Sequence, residues 1–186
     1  MRFISLFLII CSMFTGCRIT DSHMDQAINL RKAVLDAESC LFSAVITADY
    51  GETIYTFQME CKTDSTDTMK FTVKDPETIS GISGKISEEL AALTFDNRVL
   101  AFPMLADGQL TPVAAPWVFL KTLKSGYITG CSQEEKGICI YIDDSFEENL
   151  IQLLIYTDEA SVPKHAEIIY KDRRILTMDI NNFTLQ

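Results

Sequence analysis

A change of periodicity at Cys40 constrains the fold of this chain more than any other feature of its sequence. Before Cys40 the apolar residues recur at helical spacing, whereas over residues 40–49 and 52–62 they alternate with polar ones. Such alternation predicts strands with one buried face. Folding the two segments about a two-residue turn at Tyr50-Gly51 predicts these opposite pairs on one apolar face: Cys40 with Cys61, Phe42 with Met59, Ala44 with Phe57, and Ile46 with Tyr55.

The strand pattern continues to the end of the chain and predicts the fold class. A third strand at 68–74 would extend the apolar face, and further alternating segments follow. Helices are predicted at 23–38, where Ser22 and Asp25 form a capping box, and at 117–125, which follows Pro116. The order of elements predicts an α+β fold. It contains an about eleven-stranded, strongly curved antiparallel sheet (an incomplete barrel), with two or three helices covering its concave face.

The first seventeen residues have the pattern of an export signal that ends at a cysteine. A charged start is followed by an apolar run that is too short to span a bilayer, and then by small residues before Cys17. Thr15-Gly16-Cys17 resembles the lipobox of bacterial lipoproteins, in which the cysteine sulfur receives a palmitate-bearing diacylglyceryl group. We therefore expect an exported protein that is lipid-anchored on the outer face of the cell membrane. The alternative is an ordinary secretory signal.

The net charge of the chain limits the classes of partner that it can bind, and its length limits the number of domains. The chain has 26 Asp and Glu against 16 Lys and Arg, a net charge of −10, which argues against nucleic acid as a partner. No polybasic patch is evident that would assist membrane binding. We predict a signal peptide at 1–16, a lipidated tether at 17–22 and a single domain over 23–186.

The remaining cysteines suggest two disulfides, as is common in exported domains. The predicted hairpin registers favour Cys40 with Cys61 on the apolar face and Cys131 with Cys139 on the outward face. A reduced, buried Cys40 and Cys61 pair is the alternative.

Several short strings resemble the lipoprotein-carrier superfold of LolA and LolB, which is shared by mycobacterial glycolipid-binding lipoproteins and a clostridial spore-germination lipoprotein. These strings are the lipobox at Cys17, the strand end at 71–77 with Gly81-Ile82 after it, Ala115-Pro116-Trp117, and residues 163–168 followed by Asn182-Phe183. The resemblance implies a protein without enzymatic activity that holds hydrophobic ligands between sheet and helices or docks partner proteins. Carriers in the strict sense are soluble shuttles, and this chain resembles the anchored members.

The sequence offers little material for catalysis or for binding a metal or cofactor. It has only two histidines, His23 and His165, and lacks the common nucleophile, zinc and nucleotide motifs. We therefore expect no catalytic residues, no metal site and no cofactor.

An apolar and aromatic face is the candidate site for a hydrophobic ligand such as an acyl chain or lipid. The same residues would also be found in an ordinary hydrophobic core that binds no ligand. An interior filled by the protein's own side chains would favour a protein-docking lipoprotein that binds or regulates an envelope partner such as a cell-wall hydrolase. The candidate ligand-binding residues are Phe42, Ala44, Ile46, Phe57, Met59, Phe71, Trp117 and Leu120.

Replacing the lipidated sulfur tests the anchor. Cys17→Ser in a bacterial host should lose incorporation of labelled palmitate and leave the membrane fraction, because two acyl chains are needed for stable attachment. Cys11→Ser, inside the apolar run, is the control and should retain both palmitate incorporation and membrane association. Unchanged labelling of Cys17→Ser would contradict the assignment.

Overall fold

One antiparallel sheet of eleven strands forms the body of the protein. The structure, a computed structural model, describes residues 22–88, 91–95, 98–101, 105–106, 109–147 and 150–186. The helices are α1 (Ser22–Asp36) and α2 (Ala115–Ser125), with short 3-10 turns at Glu77–Ile79 and Pro112–Ala114. The strands are β1 (Cys40–Asp49), β2 (Ile54–Thr63), β3 (Met69–Asp75), β4 (Ser83–Ile86), β5 (Ala91–Phe95), β6 (Arg98–Ala101), β7 (Leu105–Ala106), β8 (Gln109–Leu110), β9 (Tyr127–Glu134), β10 (Gly137–Asp143), β11 (Ile151–Thr157), β12 (Pro163–Tyr170) and β13 (Arg173–Leu185).

The strand order places the first and last strands side by side at the centre. The order is β6-β5-β4-β3-β2-β1-β13-β12-β11-β10-β9, while β7 and β8 form a separate small pair. Ser39 and Gln186 exchange backbone hydrogen bonds of 3.0 and 2.9 Å, which join the start of β1 to the end of β13. The sheet is open, and the predicted fold class is confirmed.

The alternation of side chains builds the core. In β1, Cys40, Phe42, Ala44, Ile46 and Ala48 are buried, while the residues between them are partly exposed. The inward residues of the neighbouring strands join them in one apolar cluster. Helix α1 adds Ala27, Leu30 and Val34 to that cluster, and α2 adds most of its length, from Ala115 to Leu123.

The predicted pairing of β1 with β2 is wrong by two residues. Cys61 lies opposite Phe42 and Met59 opposite Ala44, because the connection is four residues long rather than two. The Tyr50 N–H donates to the Thr53 carbonyl at 3.1 Å within this connection. A shift of two residues preserves the buried face and changes only the partners. The third strand extends this buried face as predicted, with Cys61 of β2 opposite Phe71 of β3.

The predicted pairing of β9 with β10 is wrong by one residue, which has a larger effect. A two-residue turn at positions 135–136 places Cys139 opposite Ser132 and Cys131 opposite Ile140. A slip of one residue reverses the face of every side chain in the strand. Cys131 therefore packs against the main core, and Cys139 lies in a second cluster on the outer face with Leu154 and Tyr156.

These registers explain why neither predicted disulfide is formed. Cys40, Cys61 and Cys139 are buried thiols. Cys40 lies next to Thr63, whose hydroxyl oxygen accepts a hydrogen bond from the Cys40 N–H at 2.9 Å. Burial raises the pKa of Cys40 to about 12 and that of Cys139 to about 11, and it also raises the pKa of Cys61. All three thiols are therefore protonated at neutral pH.

Alkylation tests the state of the cysteines. In the folded, unreduced protein, Cys40, Cys61 and Cys139 should resist iodoacetamide at pH 8, because only the thiolate is a nucleophile and their raised pKa values keep it scarce. In urea without a reductant all three should be modified, as read by peptide mass mapping. If modification in urea required prior reduction, the cysteines would be disulfide-bonded and the registers would need revision.

A truncation on α2 tests its role as the cover of the concave face. Phe119 has no solvent exposure, and its ring centroid lies 6.0 Å from that of Phe42 on β1 and 6.4 Å from that of Phe183 on β13. Phe119→Ala should lower the free energy of unfolding by about 3 to 5 kcal/mol in urea titrations. Val99→Ala, at a side chain that is 71% exposed, is the control and should change it by less than about 0.5 kcal/mol. Equal effects would mean that α2 does not cover the sheet.

Candidate functional site

The sheet and α2 bring all of the candidate ligand-binding residues into one apolar cluster. Those of β1, β2 and β3 lie on the concave face, and Trp117 and Leu120 lie on the helix above it. All are buried, Trp117 retaining 7% of its exposure. The structure thus places them together in one buried cluster, while their contact with a ligand stays a prediction.

Much of the space between sheet and helix is filled by the protein's own aromatic rings. Phe42 contacts Phe119 edge-on and lies 5.9 Å from Phe183, between ring centroids. Such pairs add roughly 0.5 to 1.5 kcal/mol beyond the area that they bury. The described residues around Phe42 therefore form a packed core.

An open cleft of about 580 Å³ lies at one end of this core, beside Trp117 and Leu120. Its walls are α2, the turn between β2 and β3, and the residues that follow β4. Besides Trp117 and Leu120, the lining consists of Thr63, Thr66, Asp67, Thr68, Ser87, Glu88, Lys121, Lys124 and Ser125. Trp117 and Leu120 are the two candidate residues that reach this cleft.

Ion pairs surround the apolar part of the cleft. The Lys121 Nζ lies 4.9 Å from the centroid of the Trp117 ring and 3.4 Å from the Glu88 Oε1. Lys124 pairs with Asp67 in the turn between β2 and β3. The cleft thus combines an indole face and an aliphatic side chain with a charged rim, a composition that suits an amphiphilic molecule.

Sequence reasoning missed the cleft because its polar residues come from three separate segments with no common motif. Thr66 and Asp67 lie in a turn, Ser87 and Glu88 follow a short strand, and Lys121 lies on a helix. The available signal was Trp117, the one tryptophan of the chain, near the start of an apolar helix.

The outer face of β9 to β13 carries a network of polar side chains. The Tyr141 hydroxyl donates a hydrogen bond of 2.5 Å to Glu134, which lowers the pKa of that carboxyl. The ring nitrogens of His165 lie 2.6 Å from Asp179 and 3.3 Å from Glu167. His165 thus links carboxylates of neighbouring strands, and the buried Cys139 nearby is a protonated thiol.

The described residues contain neither a candidate metal site nor a membrane-spanning helix. No group of three or more His, Cys, Asp or Glu in this part of the chain could hold a metal ion. Neither helix within the described ranges is both long and apolar enough to cross a membrane. Cys17, the predicted lipidation site, lies outside the described residues.

Comparisons with known proteins identify the fold. No family model and no curated protein sequence matches the chain. Among solved structures, an outer membrane lipoprotein-sorting protein domain of Vibrio parahaemolyticus aligns with a TM-score of 0.50 at 10% identity, covering 86% of this chain and 91% of that one. LprF of Mycobacterium bovis aligns with a TM-score of 0.46 at 9% identity over 89% and 96% of the two chains. A LolA superfamily protein of Nitrosomonas europaea aligns with a TM-score of 0.43 at 6% identity over 86% and 93%.

The Vibrio domain carries the comparison, since the alignment extends over nearly the whole of both chains and therefore concerns the complete arrangement of sheet and helices. Because the two sequences are only 10% identical, this alignment shows a shared fold and not a shared function. The chain thus shares the fold of this lipoprotein-sorting domain.

Proposed function

We propose that this protein is an exported, non-enzymatic lipoprotein, anchored through a diacylglyceryl group on Cys17 to the outer face of the cell membrane, which binds the acyl chain of a lipid between its sheet and α2. The observation that carries the proposal is the cleft of about 580 Å³, whose apolar part is Trp117 and Leu120. Its volume is within the roughly 300 to 1,000 Å³ typical of small-molecule pockets.

The cleft favours a ligand with one apolar end and one polar end. An acyl chain against Trp117 and Leu120 would gain roughly 25 cal/mol for each Å² removed from water. Its polar end would remain at the rim, near Lys121 and Lys124. The acyl chain could not extend far under α2 in the present arrangement, because the side chains of Phe119 and Leu123 fill that space and have no solvent exposure. Deep insertion therefore requires α2 to move away from the sheet.

The fluorescence of Trp117 tests this proposal directly, because the chain has one tryptophan. Titration of the full-length protein with palmitate should shift the wavelength of the Trp117 emission until the change saturates. The shift is expected because the acyl chain of palmitate would displace water from the indole ring. Thr66→Phe, at an exposed position in the lining, should fill the cleft and weaken the response about tenfold or more. Thr56→Phe is the matched control, an exposed threonine on β2 that is absent from the lining, and should respond as the original chain does.

Two outcomes would contradict the proposal. One is an emission that does not change with palmitate while the protein remains folded. The other is an equal response from Thr66→Phe and the original chain, which would place the palmitate elsewhere on the surface.

The packed aromatic core favours a second candidate, a protein-docking lipoprotein. Phe42, Phe119 and Phe183 close much of the interior with the protein's own side chains. For such a protein, palmitate would leave the Trp117 emission unchanged, and an envelope partner such as a cell-wall hydrolase would co-elute with it in size-exclusion chromatography. Separate elution of a hydrolase encoded beside this protein would count against this candidate.

A further inference from the structure

Three lysines lie directly opposite one another on neighbouring strands of the sheet's outer face. The strand registers place Lys62 of β2 opposite Lys70 of β3, and Lys70 opposite Lys85 of β4. All three are exposed, and they alternate with the buried residues that face the core. Because adjacent strands are about 4.8 Å apart, the row spans roughly 10 Å across the sheet. We call Lys62, Lys70 and Lys85 the lysine row.

The lysine row is unusual in a chain with a net charge of −10. Like charges directly opposite each other destabilise a sheet. Lys70 has a carboxylate nearby, with its Nζ 3.8 Å from the Asp64 Oδ2. Within the described ranges, neither Lys62 nor Lys85 forms a salt bridge, although acidic residues outnumber basic ones in the chain.

A groove of about 660 Å³ runs alongside the row and includes Lys62 and Lys70 in its lining. Its one carboxylate, Glu60, is paired with Lys74 at 2.8 Å. The remaining polar side chains of the lining are hydroxyls and amides, namely Ser43, Gln58, Thr72, Asn182, Thr184 and Gln186. The lining also contains Leu41, Phe42, Cys61 and Phe71. The groove therefore combines two lysines, one of them without a salt bridge in the described ranges, with neutral hydrogen-bonding groups and apolar side chains.

We propose that this groove binds a linear polyanion, a flexible polymer that carries phosphate groups at intervals of several ångströms. Evenly spaced cations across three strands match repeated negative charges, because each lysine can neutralise one charge and release its counterion. Hydroxyl and amide groups beside the row can donate to the phosphate oxygens.

A polymer chain fits this site better than a membrane surface does. A groove accepts a single thin chain, whereas an anionic bilayer presents a broad surface to a protein whose net charge is −10. The lysine row lies on the opposite face of the sheet from Trp117, and none of its three lysines lines the cleft beside Trp117, so this proposal can fail separately from acyl-chain binding.

Binding of fluorescently labelled inorganic polyphosphate to the full lipidated chain in neutral detergent tests this inference. The original chain should bind with an affinity that falls as salt rises. The triple variant K62Q/K70Q/K85Q should lose about tenfold or more in affinity, since each lysine near a phosphate contributes separately. The triple variant K32Q/K164Q/K171Q removes three exposed lysines elsewhere and should retain the original affinity. Circular dichroism checks that both variants are folded.

Three results would overturn the inference. They are a failure of polyphosphate to bind the original chain, an equal loss in the two triple variants, and displacement of polyphosphate by soluble short-chain phosphatidylglycerol at the same phosphate concentration. An equal loss in the two triple variants would mean that polyphosphate affinity depends on net charge and not on the lysine row. The third would assign the row to lipid headgroups instead of a polymer.

Discussion

The pairing of β1 with both β2 and β13 is the interaction on which the rest of this structure depends. β1 and β2 continue one meander toward β6, and β13 begins the other toward β9. Because β1 joins the two meanders, its side-chain alternation sets which face of both is buried. Phe42, Ala44 and Ile46 point to the same side as the inward residues of β2 and β13, and the helices can cover only that side.

The sequence predicts the faces of the strands more securely than it predicts their partners. Alternation identifies the buried residues of β1 and β3 and those of β2 from Phe57 onward, since every second side chain of a half-buried strand faces the core. It is wrong for Tyr55, which was predicted on the apolar face and is 53% exposed near the start of β2. It does not determine loop length, and the connection after Asp49 proved to be four residues long instead of two. That shift separates Cys40 from Cys61 along the strands and leaves both buried. After Glu134 an error of one residue was enough to move Cys131 to the opposite face.

The candidate site was predictable in part for a similar reason. The apolar residues of the concave face follow from periodicity, and Trp117 follows from the pattern of its helix. The cleft depends on where the turn after β2 lies relative to α2, so that Thr66 and Lys121 come together only in three dimensions. The lysine row also required the registers of two strand pairs, because Lys62, Lys70 and Lys85 are scattered among acidic and neutral residues along the chain.

The two faces of one sheet thus have different chemistry. The concave face is apolar, is covered by α1 and α2, and opens at Trp117, whereas the outer face of β2 to β4 carries the lysine row. The central claim is that the concave side holds an acyl chain. Native mass spectrometry of the protein released gently from its own membrane measures this most directly. The account predicts the mass of the lipidated polypeptide plus one further acyl-bearing molecule, lost on stronger activation. Observation of the lipidated polypeptide alone, under conditions that keep a known lipid complex intact, would contradict it.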